Sequence, residues 1–284
     1  MENHKLVTIA IPFYNSEKYL SDAISSVINQ TYTNWELLLM DDNGTDSSKM
    51  IAEEFASKDK RIKVMSDGEN HGFPSRLNES VSLAKGEFYV RMDDDDIMAV
   101  DRLETQIKYL MYHPDVDVVG SSAMIIDDKN KVIRSSDMSG ITTGFIHPTV
   151  CGKTEWFRRN KYNEKCRRCQ DRELWLRTAN NSTFYNIERP LLFYREFGIP
   201  SLKKNLKAHQ AQRFIFRGYR LYGKSFIWYV KSTLGTYVKD VAYLFFAAFG
   251  KMDYLVGKRK RKQLDKKFWL TTVDINKAVN IRNK

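Results

Sequence analysis

The most constraining feature of the chain is an alternation between two hydrophobic periods in its first 120 residues. Short apolar runs recur at 6–11 (LVTIAI), 35–40 (WELLLM), 62–65 (IKVM), 87–92 (EFYVRM) and 115–120 (DVDVVG). Runs without a regular polar face suit strands covered on both sides. Between them the apolar residues return with a helical period. In SEKYLSDAISSVINQ, residues Tyr19, Leu20, Ala23, Ile24, Val27 and Ile28 share one face, with Ser16 as the expected N-cap. SSKMIAEEFASK, PSRLNESVSLAKG and RLETQIKYLMYHP repeat the pattern, the last two stopping at Gly86 and before Pro114. Parallel strands need crossovers, and a helix between successive strands supplies them. The expected class is α/β, with a doubly wound, mostly parallel sheet and helices on both faces.

The 284 residues suffice for one such domain with an appendage, and 42% hydrophobic content excludes a disordered chain. From 121 to about 200 the pattern is less regular, with a helix expected over DRELWLRTANN and an apolar stretch at PLLFYR. Composition changes after Gly198, Ile199 and Pro200. From residue 203 onward 20 Lys/Arg stand against four Asp, a net of +16, which leaves about −5 for the rest of a chain that totals +11. The expected division is 1–98 and 99–202 as two halves of one domain, then 203–284 as a basic, aromatic-rich extension with helical runs at 211–230 and 234–250. A basic extension on an acidic body suggests a polyanionic partner, either an anionic membrane surface or nucleic acid. Its most apolar run, VAYLFFAAFG, is ten residues, about half of what crosses a bilayer, so it is not expected to span one; the extension reads either as lying on a membrane or as a solvated basic helical hairpin packed on the catalytic domain. Three cysteines make no secreted disulfide framework, and the N-terminus reads as a strand rather than a signal peptide. A cytoplasmic protein, peripheral on the inner face of the cell membrane, is the expectation.

Two acidic clusters follow expected strands: Asp41 and Asp42 after WELLLM, and Asp93 to Asp96 after EFYVRM. In an open parallel sheet, ligands bind where loops leave the carboxyl ends of the strands. Four adjacent like charges repel one another. Such a run reads either as a solvated loop or as part of a site for a hard divalent cation, Mg2+ or Mn2+, which takes carboxylate together with phosphate oxygens. Asp171 opens the DRELWLRTANN helix, an ordinary place for an acid on dipole grounds alone. Cys166 and Cys169, with His147 and Cys151 upstream, include the residue types that zinc takes.

The order and spacing of the motifs go further. VTIAIPFYNSEKYLSDAISSVINQTYTNWELLLMDDNGTD, then ENHGFPSRLNESVSLAKGEFYVRMDDDDIMAVDRLETQ, then IHPTV, CQDRELWLR and LLFYR resemble the family-2 glycosyltransferases of the GT-A fold, of the bacterial cell-surface glycan type, over residues 5–197. The resemblance implies a nucleotide-sugar donor, by family default a UDP-sugar, in 1–98, and a glycan or lipid-linked glycan acceptor in 99–202. Pro12 and Tyr14 are similar to residues that pack on the nucleotide base, and Asp42 to one that hydrogen-bonds base or ribose. The family's usual DADD stands here as Asp93 to Asp96. This implies Asp93 and Asp95 as the pair serving metal and diphosphate, Asp95 as the direct metal ligand, and Asp94 near the ribose. Asp94 replaces a small residue and adds a charge. Arg76 stands where a base or phosphate contact, or a solvated helix residue, is expected. Asp171 matches the family's catalytic base, which takes the proton of the acceptor hydroxyl. His147 and Pro148 match a loop facing donor and acceptor, as substrate contact or as structural element. Base and leaving group on opposite faces of the sugar imply inversion. The implied cofactor is Mn2+ or Mg2+, and no zinc is called for.

Two other functions fit parts of the chain. A sugar nucleotidyltransferase also sets aspartates at the ends of parallel strands, but it needs a Gly-rich basic phosphate loop that IPFYNSEKYL does not provide. A non-catalytic polyanion-binding protein would act through the basic tail. The acidic body and the lack of a nucleic-acid motif argue against nucleic acid as partner. Release of nucleoside diphosphate, of pyrophosphate, or of neither separates the three.

Overall fold

The computed structural model describes residues 5–137, 140–141, 144–197, 201–252, 267 and 269–280. The five expected strands form as β1 (Val7–Phe13), β2 (Trp35–Asp41), β3 (Ile62–Met65), β4 (Phe88–Arg91) and, after a short β5 (Ile97–Met98), β6 (Val118–Ile126). Then come β7 (Val132–Ser136), β8 (Gly140–Ile141), β9 (Cys151–Lys153) and β10 (Phe184–Arg195), the last containing PLLFYR. The ten strands make one sheet ordered β3-β2-β1-β4-β9-β6-β10-β5, with β7 beside β6 and β8 beside β10. β1 to β4 pair in parallel, as do β6 and β10. The insertion of β9, antiparallel to both β4 and β6, was not indicated by the hydrophobic pattern, because three residues are too few to show a period.

The crossovers are α1 (Leu20–Ile28), α2 (Ser48–Lys58), α3 (Phe73–Leu83) and α4 (Arg102–Tyr112), followed by α5 (Thr154–Arg159) and α6 (Gln170–Thr178). They cover both faces, which explains the unbroken apolar strands. Ile9 and Ile11 of β1 join Leu20, Ala23, Ile24 and Val27 of α1 and Leu103 of α4 in one cluster. Ala10, between them, points the other way, toward Leu77 and Val81 of α3, Trp156 of α5 and Leu174 of α6. Truncating Ile9 or Leu77 to Ala would remove about 2–5 kcal/mol, as for any fully buried aliphatic residue.

One expected cap moves. Ser16 offers its carbonyl to the N–H groups of Tyr19 and Leu20, but its hydroxyl donates to the Asp94 carboxylate instead of capping α1. A carboxylate is the stronger acceptor.

The extension forms α7 (Leu202–Phe216), α8 (Phe226–Ala248) and α9 (Thr272–Val279). The break between the first two falls at 217–225 rather than near 231–233, in a turn where Gly223 takes a φ of +63°. Asp240 of α8 ties the pair by accepting from His209 and from Arg213 of α7, both at 2.6 Å. α9 returns to the sheet domain. Its Ile275 and Ala278 pack with Ile97, Met124 and Phe193, and Asn29 of α1's C-terminus donates to the Ala278 carbonyl at 2.7 Å. The expected boundary at 198–200 and all but Lys267 of the basic run 257–267 lie outside the described residues. No described helix is long and apolar enough to cross a membrane.

Candidate active site

The carboxyl ends of β1, β2 and β4 bring three loops together. Asn15, at a φ of 53°, accepts the Thr45 N–H at 2.7 Å, and Ser48 Oγ accepts the Ser16 N–H at 2.7 Å. Glu17 N–H reaches Asp46 at 2.9 Å. These bonds stitch the β1–α1 loop to the β2–α2 loop. Pro12 stays buried within β1, and Tyr14 stands half exposed just beyond it.

At the end of β2 both acids are answered by the protein. Asp41 accepts from Ser66 Oγ at 2.8 Å and from Asn43 N–H at 3.0 Å. Asp42 accepts the N–H groups of His71 (2.9 Å) and Gly72 (3.1 Å) and the Nε of Arg76 (3.2 Å). Gly72, at a φ of 86°, holds a conformation that a side chain would strain. The remaining Arg76 donors reach Asp67 (2.6 Å), Glu79 (2.8 Å) and the Glu69 carbonyl (2.6 Å). Arg76 is therefore no solvated helix residue: it is 1% exposed and bonded to three carboxylates. Its hydrogen bonds hold the Asp67 carboxyl well below the usual carboxylate range.

The β4 end is different. One carboxylate oxygen each from Asp93, Asp95 and Asp96 lies within 4.8 Å of the others. Asp93 pairs with Arg91, and Asp94 accepts from the Ser16 hydroxyl and the Tyr14 N–H. Asp96 is fully buried; one oxygen accepts the Arg195 N–H at 2.8 Å, and the other has no hydrogen-bond partner among the described residues. Burial, then the charge of neighbouring aspartates, pushes Asp95 up to about 7 and Asp96 well above its ordinary value. Burial likewise pushes Asp94 up to about 6, against the pull of Ser16. Groups held so close resist ionising together unless a cation joins them. Three carboxylates, one with an orphaned buried oxygen, fit a hard divalent ion. Asp93 and Asp95 meet as expected from the sequence; Asp96 is an additional member.

Asp171 is the second residue of α6, behind Cys169 in the left-handed region at a φ of 56°. Burial raises its pKa, while the Arg172 N–H and the charge of Arg91 pull it down. Arg91 is one residue that the sequence reading missed. It is buried, lies 4.9 Å from the Phe73 ring centroid, pairs with Asp93 and feels the charge of Asp171. Its Nε and Nη1 have no hydrogen-bond partner among the described residues. The available signal was an arginine inside an otherwise apolar strand, directly before an acidic run. Arg195 and Tyr162 were missed as well. Arg195 also donates to the Asp95 carbonyl at 2.8 Å, holding the acidic turn to β10. The Tyr162 hydroxyl lies 2.9 Å from His147 Nε2.

His147 is itself buried, and burial together with Arg91 lowers its pKa well below the ordinary value, so the ring is neutral. It packs between Phe73 and Trp175. The residues considered for zinc are dispersed: Cys151 sits in the core with Val90 and Val119, while Cys166 packs with Ile215 and Tyr222.

A doubly wound sheet whose β1, β2 and β4 ends converge on an acidic turn, with a half-buried acid opening a helix beside it, defines a glycosyltransferase of the GT-A fold. The family model for Glycosyl transferase family 2 matches residues 8–185, and the chain belongs to that family. EpsE of Bacillus subtilis is 32% identical over 208 residues, spanning 69% of this chain and 75% of its own. WfgD of Escherichia coli, named a UDP-Glc:alpha-D-GlcNAc-diphosphoundecaprenol beta-1,3-glucosyltransferase, is 40% identical over 106 residues, 37% of this chain and 41% of its own. Among solved structures, S. aureus TarS 1-349 with UDP-GlcNAc superposes with a TM-score of 0.63 at 17% identity, covering 96% of this chain and 81% of that one. The mannosyltransferase PcManGT from Pyrobaculum calidifontis, with GDP-Man and Mn2+, gives 0.60 at 16% identity, covering 96% and 85%. These last two likenesses speak for the fold.

Proposed function

We propose that the enzyme moves a sugar from a nucleotide-sugar, a UDP-sugar, to a hydroxyl of a glycan or lipid-linked glycan, with inversion and with the help of Mn2+ or Mg2+. The observation that carries this reading is the close approach of the Asp93, Asp95 and Asp96 carboxylates, within 4.8 Å, in a turn where burial opposes the ionisation of Asp95 and Asp96. Asp93 and Asp95 would hold the cation, with Asp96 behind them; when bound, such an ion offsets the charge of a departing nucleoside diphosphate. Tyr14 and Pro12 would border the base. Asp42, held by Arg76, would face base or ribose, and Asp94, tethered to Ser16, the ribose. Asp171 would accept the proton of the acceptor hydroxyl as its oxygen bonds to the anomeric carbon and the bond to diphosphate breaks. Arg91 opposes the effect of burial on Asp171 and so favours the carboxylate that a base requires. His147, neutral and bonded to Tyr162, would support the wall beside them.

The names of relatives support the finer choices. WfgD is named for a UDP-sugar and a diphosphoundecaprenol-linked acceptor, and PcManGT was solved with Mn2+. A lipid-linked acceptor would place the enzyme at the inner face of the cell membrane, with the basic extension toward an anionic surface. The test is a panel of nucleotide sugars with excess chelator, then with added Mn2+ or Mg2+, reading nucleoside diphosphate release. Release that depends on the added ion supports the proposal. Full release in chelator overturns the metal site, and pyrophosphate release would turn the reading to a nucleotidyltransferase.

A further inference from the structure

α8 is built inside out. Its buried positions are Thr236 and Tyr243, and on the same side Asp240 bonds to His209 and Arg213 of α7. Its opposite side carries Phe226, Ile227, Leu234, Val238, Val241 and Phe245, each more than half exposed. At the α-helical turn these six fall within an arc of about 120° over a length of about 30 Å. A helix on the surface of a water-soluble domain has the reverse arrangement, apolar inward and polar outward. Large contiguous apolar patches on a surface mark a contact.

Charge identifies what makes that contact. Lys203 and Lys207 of α7 line, together with Leu244, a cleft of about 470 Å³ along one edge of the stripe. Arg213 lies 4.4 Å from the ring centroid of Tyr237 on the same edge, while Lys231 and Lys239 of α8 are exposed. Among the described residues none of these four lysines has a carboxylate partner. A second copy of the chain docked on this face would bring the same cations against them. Residues 253–266 add Lys258, Arg259, Lys260, Arg261, Lys262 and Lys266 to the cations of the extension.

We propose that α8 lies in the interfacial layer of an anionic bilayer, its Phe226–Phe245 face among the acyl chains and Lys203 and Lys207 against lipid phosphates. This deepens the reading that the extension brings the transferase to a membrane, and rests on it. The apolar face would enter by about 5–10 Å, as interfacial helices do. Lys231, Lys239 and Asp240 near mid-helix forbid a spanning arrangement.

Flotation of the full chain tests it, with vesicles of phosphatidylcholine alone and with equal parts phosphatidylcholine and phosphatidylglycerol. The wild type should float only with the mixed vesicles. Val241→Asp with Phe245→Asp should lower partitioning by about 100-fold or more through loss of two buried apolar side chains and gain of two repelled charges. Lys203→Gln with Lys207→Gln should lower it about 30-fold, near fivefold for each lysine. Nucleoside diphosphate release in solution should keep the wild-type rate in both variants, so membrane docking and transferase chemistry are read separately. If release is absent from every protein while flotation follows the pattern above, the transferase reading falls and the docking stands. Equal flotation with phosphatidylcholine alone, or wild-type flotation by the Val241→Asp, Phe245→Asp protein, overturns the docking. A lipid-free dimer that those two substitutions convert to monomer, with no vesicle binding, assigns the face to a second copy instead.

Discussion

Two acidic clusters stand at the carboxyl ends of strands in one parallel set, and the protein treats them in opposite ways. At the end of β2, Asp42 meets two backbone N–H groups and a buried arginine that also bonds to Asp67 and Glu79. At the end of β4, Asp95 and Asp96 have raised pKa values and one buried oxygen lacks a partner among the described residues, even though Arg91 pairs with the neighbouring Asp93. The first cluster is complete within the chain. The second keeps its acids unmatched among the described residues. α8 shows the same contrast with the opposite polarity: there it is apolar surface, not charge, that stands exposed.

The sharpest way to break this contrast is Asp95→Asn. Nucleoside diphosphate release should fall by about 10³-fold or more, the scale of losing electrostatic stabilisation of the leaving group, while the circular dichroism stays native. Near wild-type turnover would remove Asp95 from the site.

Asp171→Asn should lower transfer by about 10²–10⁴-fold, the usual worth of a positioned base, with donor affinity by calorimetry unchanged. Because the base works as a carboxylate and burial raises its pKa, kcat/KM of the wild type should fall with decreasing pH along a limb above the ordinary carboxylate value of 3.8. A limb at or below that value would speak against Asp171.

Stability should respond with opposite signs at the two clusters. Arg76→Met strands buried Asp42 and should lower stability by somewhat less than the about 3–5 kcal/mol of a fully buried broken pair, since Asp67 and Glu79 remain partly solvated. Asp96→Asn removes a buried acid that must either ionise beside its neighbours or take up a proton on folding, so the metal-free protein should melt higher than wild type. Equal losses of Tm in both variants would erase the distinction.

A further effect is linkage. Asp94 and Asp95, at about 6 and about 7, bind protons more tightly in the folded chain than at the ordinary value of 3.8. The folded state then holds more protons than the unfolded one, so the metal-free protein should lose stability as pH rises from about 4 to about 7. Mn2+ should raise Tm by a few degrees above that window and hardly at all below it. A cation effect independent of pH would count against these carboxylates as its ligands.

The parallel part of the sheet was legible in the sequence because each of its strands has neighbours on both faces and therefore carries an apolar run of its own. Helices α1 to α4 showed for the related reason that one face of each is covered. The acidic run, Asp171 and Asp42 were legible as residue types in an order, and the family resemblance supplied their roles. β9 was not legible, nor was the break at Gly223, since three residues or one backbone angle leave no periodic trace.

By itself, then, the sequence determined the strand–helix alternation, the family and the positions of the acids, because hydrophobic period and motif order are local properties of the chain. Only the tertiary structure decided which acids are satisfied. Arg76 and Arg91 are both arginines close in sequence to aspartates, yet the first shares its donors among three carboxylates while the second keeps two donors unpartnered among the described residues, beside Asp93. Likewise α8 reads as an apolar helix from its residues, and its apolar side is outward because Asp240 binds His209 and Arg213 on the other. The energy of a charge or an apolar face depends on what stands against it, and those neighbours arrive from elements remote along the chain.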